Sequence, residues 1–204
     1  KGKILDVGCG DGFFAWSVYE KQKIEAGIEV SDSLWKEAKK RGNYKKVLVY
    51  NGKKIPFGTN TFDTVVSNCV LEHVPNAESL IKEIRRVLKP GGKFLTTVVT
   101  KEFGKELLGT KIFGNIYKDW FNKKSIHVSN FSEKKWLRIF KKIGFEIKEK
   151  KYYMNNKLLN IFFDLTHYWG INNLITRKSF GKWVFGLSKL SNEIWKRFFL
   201  KIIK

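Results

Sequence analysis

From residue 3 to residue 153, short apolar runs alternate with longer segments whose apolar residues recur at helical period. The apolar runs at 4–7, 24–30, 46–50, Phe62–Asn68, 93–99 and 145–153 suit strands. Between them, residues 13–21, Asp32–Arg41, 77–88 and Glu133–Lys142 carry helical spacing. Local punctuation agrees with these boundaries. Ser31 or Asp32, Asn76 and Ser132 are suitable N-caps, and Gly42 and Gly144 are suitable C-terminal stops. Phe131 and Trp136 have the spacing of a hydrophobic staple. Leu88-Lys89-Pro90-Gly91-Gly92 is a turn, because proline ends the helix and the glycines supply the turn geometry. Right-handed crossovers between successive strands then predict an α/β chain with a doubly wound, mostly parallel sheet and helices on both faces.

In such a sheet, ligands sit at the carboxyl ends of the strands, so the residues there matter most. The first strand runs into Gly8, Gly10 and Gly12, which let the backbone turn sharply and approach a ligand. Backbone N–H groups at such a turn can meet a polar ligand. The dinucleotide pattern G-x-G-x-x-G would need its third glycine where this chain has Phe13. Asp6 at the strand end also suits a cationic ligand better than a pyrophosphate. Glu29 ends the second strand at about the interval where dinucleotide folds place the acid that accepts the ribose hydroxyls.

The run D-x-G-x-G-x-G over residues 6–12 resembles the first motif of class I S-adenosylmethionine-dependent methyltransferases. Phe62-Asp63-Thr64-Val65 with Leu71-Glu72-His73-Val74, then Leu88 to Gly92, and then the stretch from His127 to Ile147 resemble the type 11 group of that family. The resemblance covers about three quarters of the chain and implies a Rossmann-like fold with S-adenosyl-L-methionine as cofactor. It also implies a cofactor-binding set of Asp6, Gly8, Cys9, Gly10, Gly12, Glu29, Val30, Asn51, Gly52, Asn68, Cys69 and Val70. Asn51 departs from the aspartate that the family places against the adenine amino group, although an amide oxygen can also accept from an amine. His127 and His73 are the candidate catalytic residues, at the substrate mouth that the family builds from these segments. Asp63 and Glu72 are expected to be structural acids.

Composition adds three constraints. Two cysteines, Cys9 and Cys69, without C-x-x-C spacing point to a reducing compartment and to no metal site. Apolar runs stay short of the roughly 18 residues of a spanning helix. The formal charge of +21 raises nucleic acid or an anionic membrane as partners. Most of that charge is lysine, whereas base-edge and bidentate phosphate readout favours arginine, so direct nucleic-acid binding is disfavoured.

Residues 1–153 are read as the cofactor-binding core and 154–204 as an aromatic, basic helical cap or tail of the same domain. In the tail, Trp183, Leu187, Leu190, Ile194, Phe198 and Ile202 share one helical face and Lys182, Lys189, Lys196 and Lys204 another. That pattern suits a cap over the substrate crevice, and also peripheral contact with an anionic membrane. The N-terminal helices of related enzymes are expected to be missing, and the antiparallel final strand of their sheet is either cut away or carried by the short run 198–203.

The predicted activity is methyl transfer to a small-molecule or lipid-linked acceptor by in-line displacement, in the cytoplasm or at the inner face of the membrane. The alternatives are a non-catalytic cofactor-binding module and an RNA or protein methyltransferase. A nicotinamide oxidoreductase is disfavoured by Phe13 and Asp6. The acceptor and the oligomeric state are not encoded in any motif of the chain.

Overall fold

A computed structural model describes residues 2–19, 22–152, 154, 157–166 and 197. Strands β1 (Ile4–Val7), β2 (Ile24–Glu29), β3 (Tyr44–Val49), β4 (Phe62–Asn68) and β5 (Leu88–Thr97) form one sheet in the order β3-β2-β1-β4-β5. Every neighbouring pair is parallel. The order reverses between β1 and β4, which is where open α/β sheets place a ligand crevice.

The pleat sorts the strand residues onto two faces. Leu5, Val7, Ala26, Ile28 and Val65 pack on one face with helices α3 (Ala77–Val87) and α7 (Glu133–Lys142), which contribute Leu80, Ile81, Ile84, Trp136 and Phe140. A second cluster joins Ile24 and Tyr44, at the starts of β2 and β3, to Ala15 of α1 (Phe13–Tyr19) and Ala38 of α2 (Asp32–Arg41). The caps expected at Ser31, Asn76 and Ser132 each accept a backbone N–H of the first turn. The Phe131 and Trp136 rings meet at 5.0 Å as the expected staple.

Strand β5 takes in the expected turn Leu88–Gly92, with a register shift opposite Phe62 and Thr64, and two larger features differ from the pattern-based expectation. Residues 145–152 join no strand, so the sheet of the described residues has five strands and the sixth predicted at 145–153 is absent from it. Phe145 and Ile147 still pack against the core, while Glu146 pairs with Lys148 and Glu133 binds both Lys150 and Tyr152. Alternation here records side-chain packing and not a backbone ladder. The second difference is a helical layer after β5, made of α4 (Phe103–Glu106), α5 (Leu108–Phe113) and α6 (Asn115–Lys124).

Helix α8 (Lys157–Thr166) docks on that layer through a buried carboxylate: Asp164 accepts the Gly109 N–H at 2.7 Å and the Tyr117 hydroxyl. Phe163 packs with Leu107, Tyr117 and Phe121 in the same cluster. Of the cap expected from residues 154–204, the described helix α8 packs on the layer formed by residues 103–124. The amphipathic helix expected at 182–204 and the candidate final strand at 198–203 lie outside the described residues, apart from a helical Arg197. Among the described residues, no helix is long and apolar enough to cross a membrane.

Candidate active site

The glycine loop is held open by its neighbours and not by its own side chains. Gly8 and Cys9 donate their N–H groups to Ile28 O at 2.9 and 3.0 Å, and Gly10 donates to Glu29 Oε2 at 2.9 Å. Gly8 adopts φ +71° with Val70 lying across it, so a Cβ there would sit 2.5 Å from Val70 Cγ2. Gly10, at φ +54°, has nothing among the described residues within 4 Å of where its Cβ would be. The far end of the loop is pinned by Arg41, whose guanidinium donates to Asp11 O and Asp11 Oδ2, both at 2.8 Å.

The ends of four strands meet at this loop. Glu29 O accepts the Tyr50 N–H at 3.0 Å, which ties in the β3 end, and Val30 approaches Gly52. Val70 brings in the β4 end. There, Thr97 donates to Asn68 Oδ1 at 2.7 Å and accepts from the Cys69 N–H at 3.0 Å. Cys69 takes the left-handed conformation at φ 52°, a strained state for a residue with a side chain. Gly8, Gly10, Glu29, Val30, Gly52, Asn68, Cys69 and Val70 thus fall in one region at the carboxyl edge of the sheet.

Glu29 is buried and already accepts three backbone N–H groups: Val30 and Ser31 on Oε1, and Gly10 on Oε2. A carboxylate offers about four acceptor positions, so one on Oε2 stays free for a hydroxyl. A bidentate ribose grip would require one backbone donor to let go. Asn51 also spends its oxygen locally, accepting from Lys53 and Lys54 N–H at 3.0 and 3.3 Å. Its NH2 group is what it has left for a ligand.

Two of the predicted cofactor residues lie beneath the loop. Asp6 is 1% exposed and accepts the Tyr44 hydroxyl at 2.8 Å. The Cys9 side chain is buried against the Gly27 backbone, and burial with nearby Asp6 pushes its thiol far above the usual range. Both support the loop from below. Tyr44, Arg41 and Thr97 carry no local motif signal; they are found through folding partners 28 to 38 residues away in sequence.

Burial raises the Asp6 carboxyl from 3.8 to about 7, with the Tyr44 bond opposing and Glu29 reinforcing the rise. The folded chain therefore holds this proton at pH values where the unfolded chain has lost it. Stability should fall as pH climbs from about 4 to about 7, by at most about 1.4 kcal/mol per pH unit for this group. Asp6→Asn keeps an acceptor for Tyr44 and is expected to flatten that decline. Urea midpoints across the window measure it; an identical decline in the variant would contradict the assignment.

His73 and His127 come together from segments 54 residues apart. Their rings lie 5.2 Å apart at the mouth of the β4 end. The His127 loop is clamped onto the short 3-10 turn Leu71–His73 by Ser129, which donates N–H to Glu72 O at 2.9 Å and Oγ to Val74 O at 2.7 Å. Burial first, and the His73 ring second, lower His127 to about 4, so it is neutral at physiological pH and a weak proton acceptor. Glu72, expected to be structural, is fully buried, and burial raises it to about 7.

The residues fit S-adenosylmethionine: a free acceptor on Glu29, an open backbone at Gly10 and an apolar wall at Val70. Known proteins agree. Residues 5–96 match the family model described as Methyltransferase domain. An uncharacterized protein of Methanocaldococcus jannaschii is 34% identical over 72% of this chain and 65% of its own length. The ubiquinone biosynthesis O-methyltransferase of Coxiella burnetii is 32% identical over 50% of this chain and 46% of its own. A SAM-dependent methyltransferase structure from Thermotoga maritima superposes with a TM-score of 0.56 at 27% identity, covering 72% of this chain and 65% of that one. The chain thus spans less than two thirds of the length of each of these relatives. The glycine loop, the strand-end acid and the parallel sheet thus agree with the likeness of residues 5–96 to the methyltransferase family model and with the fold of the Thermotoga maritima structure.

Proposed function

We propose that the chain transfers a methyl group from S-adenosylmethionine to a small-molecule or lipid-linked acceptor. The convergence of Glu29, the Gly8–Gly12 loop and Val70 at the carboxyl edge of the sheet carries this reading. The cofactor would supply a sulfonium methyl already activated for displacement. The protein's own task is then to hold donor and acceptor in line, which can contribute about 7 to 11 kcal/mol.

Glu29 would accept a ribose hydroxyl on Oε2, while Val30 and Gly52 flank the sugar and Asn51 meets the base. Asp6 and Cys9 keep the loop in place from beneath. Asn68, Cys69 and Val70 line the other side. The acceptor would enter between the β4 end and the α4–α6 layer, where His73 and His127 lie. A neutral, weakly basic His127 suits orienting or ligating an acceptor better than taking its proton at neutral pH.

Two relatives support a lipid-like acceptor: their names place them in ubiquinone biosynthesis in Coxiella burnetii and in sterol 4-C-methylation in Caenorhabditis elegans. The lysine excess is compatible with an anionic membrane surface, which would present such a molecule. Incubation with a methyl-labelled donor and cell extract, followed by partition, tests the proposal. Label is expected in the lipid or small-molecule fraction. Label confined to nucleic acid or protein would contradict it, and binding without transfer would identify a cofactor-binding module.

Asn51→Asp should tighten cofactor binding, because a carboxylate can serve the Lys53 and Lys54 N–H groups with one oxygen and an adenine amine with the other. A hydrogen bond to a charged group contributes about 1.5 to 3 kcal/mol when shielded and less at this exposed position, so a several-fold gain is expected. Titration with S-adenosylhomocysteine measures it, and unchanged or weaker binding would argue against Asn51 at the base.

A further inference from the structure

The segment that closes the acceptor mouth holds a cluster that methyl transfer itself does not require. A carboxylate oxygen of Glu72 and one ring nitrogen each from His73 and His127 lie within 4.8 Å of one another. Two histidines and a carboxylate are the donor set of catalytic zinc sites, which leave a further position open. Tetrahedral ligation with bonds of about 2.1 Å separates ligand atoms by about 3.4 Å, so side-chain movements of about an ångström would close the set.

The surroundings prepare each donor. His73 Nδ1 lies 3.2 Å from Ile126 O, and a carbonyl can only accept, so Nδ1 carries the proton and Nε2 keeps its lone pair. His127 Nδ1 lies 3.1 Å from Asn122 Oδ1, which selects the same tautomer. Anchoring one ring nitrogen on a carbonyl oxygen, which leaves the other with its lone pair, is the arrangement that orients metal-bound histidines. Ile126 reaches His73 by adopting φ 55°, a left-handed conformation that is costly for a β-branched residue.

Glu72 supplies an independent observation. It is 0% exposed; Oε1 accepts from the Val99 N–H at 3.3 Å, the carboxyl also meets its own N–H and the Cys69 thiol, and Oε2 is buried with no hydrogen-bond partner among the described residues. A buried carboxylate oxygen left unpaired is costly, and a cation would satisfy it.

We propose that Glu72, His73 and His127 bind one first-row divalent cation of the zinc type, with an open coordination position toward the acceptor mouth. Imidazole donors favour this class over Mg2+ or Ca2+. Cysteine spacing argues against a metal site, and His127 lies 54 residues from His73 in the chain, so only the fold brings the three donors together. The site stands on its own geometry and does not require the methyl donor to be bound.

The test uses the full chain, stripped with chelator and titrated with Co2+ followed by competing Zn2+, read by visible absorption and calorimetry. One equivalent should bind, with the absorption of a low-coordinate nitrogen- and oxygen-ligated cobalt site, and Mg2+ in excess should not displace it. His73→Ala and Glu72→Gln should each abolish that spectrum. Asn122→Ala leaves all three donors and should weaken binding by about 10- to 100-fold, an effect that a purely structural role for Asn122 would not produce. Absence of stoichiometric binding to the wild-type chain would overturn the site, as would equal affinity in a folded His73→Ala/His127→Ala double variant. S-adenosylhomocysteine binding in the same samples reports separately on the cofactor pocket.

Discussion

Glu29→Ala is expected to abolish measurable cofactor binding while leaving the sheet folded. Three backbone N–H groups, from Gly10, Val30 and Ser31, lose their shared acceptor at once. The loop then has no reason to keep Gly10 opposite the β2 end, and the free acceptor position on Oε2 disappears with the side chain. Loss of one hydrogen bond to a charged acceptor costs about 1.5 to 3 kcal/mol, or about 10- to 150-fold in affinity, before any loosening of the loop is added. The combined loss for S-adenosylhomocysteine should therefore exceed about 100-fold. Glu29→Gln is no mild substitute, because its NH2 group would face a backbone donor. Calorimetric titration beside a thermal melt separates affinity from folding; a folded Glu29→Ala chain with wild-type affinity would remove Glu29 from the site.

Gly8→Ala is the second large effect, and it has two separable parts. A side chain at φ +71° costs about 1 to 2 kcal/mol. The added Cβ would also sit 2.5 Å from Val70 Cγ2, an overlap that should cost about 1 to 3 kcal/mol more. Relieving it by moving Val70 disturbs the wall of the proposed pocket, so binding and stability should fall together. In the double variant Gly8→Ala/Val70→Ala, the overlap is gone but the backbone strain stays. Denaturant midpoints for the two single variants and the double variant should show a coupling that recovers the overlap part alone. Strict additivity would mean that the β4 end does not press on the glycine loop.

How much of this was legible in the sequence depends on what kind of signal each residue leaves. Helices α2, α3 and α7 announce themselves through side-chain caps at Ser31, Asn76 and Ser132. Helices α4, α5 and α6 follow Glu102, Leu107 and Gly114, none of which makes a side-chain cap bond, and so their starts leave no mark. Residues 145–152 keep the alternation of a strand because alternate side chains pack inward, although no backbone among the described residues pairs with them. The glycine loop and Glu29 were visible because their spacing is fixed by one short β-α-β unit. The supports were not: Tyr44 under Asp6, Arg41 on Asp11 and Thr97 beneath Asn68 act across the fold. The motif places Asp6 at the ligand, yet the pleat turns its side chain to the opposite face of the strand from Leu5 and Val7, onto Tyr44. The histidine pair belongs to the same class, since only the clamp of Ser129 onto the turn at Leu71–His73 brings His127 to His73.

The central claim is that the carboxyl edge of this sheet is a pocket for S-adenosylmethionine and not for a dinucleotide. Parallel calorimetric titrations of the same preparation with S-adenosylhomocysteine and with NAD test it most directly. Saturable one-to-one binding of S-adenosylhomocysteine with no heat from NAD is the predicted result. Tight NAD binding, or no binding of S-adenosylhomocysteine to the folded chain, would contradict it.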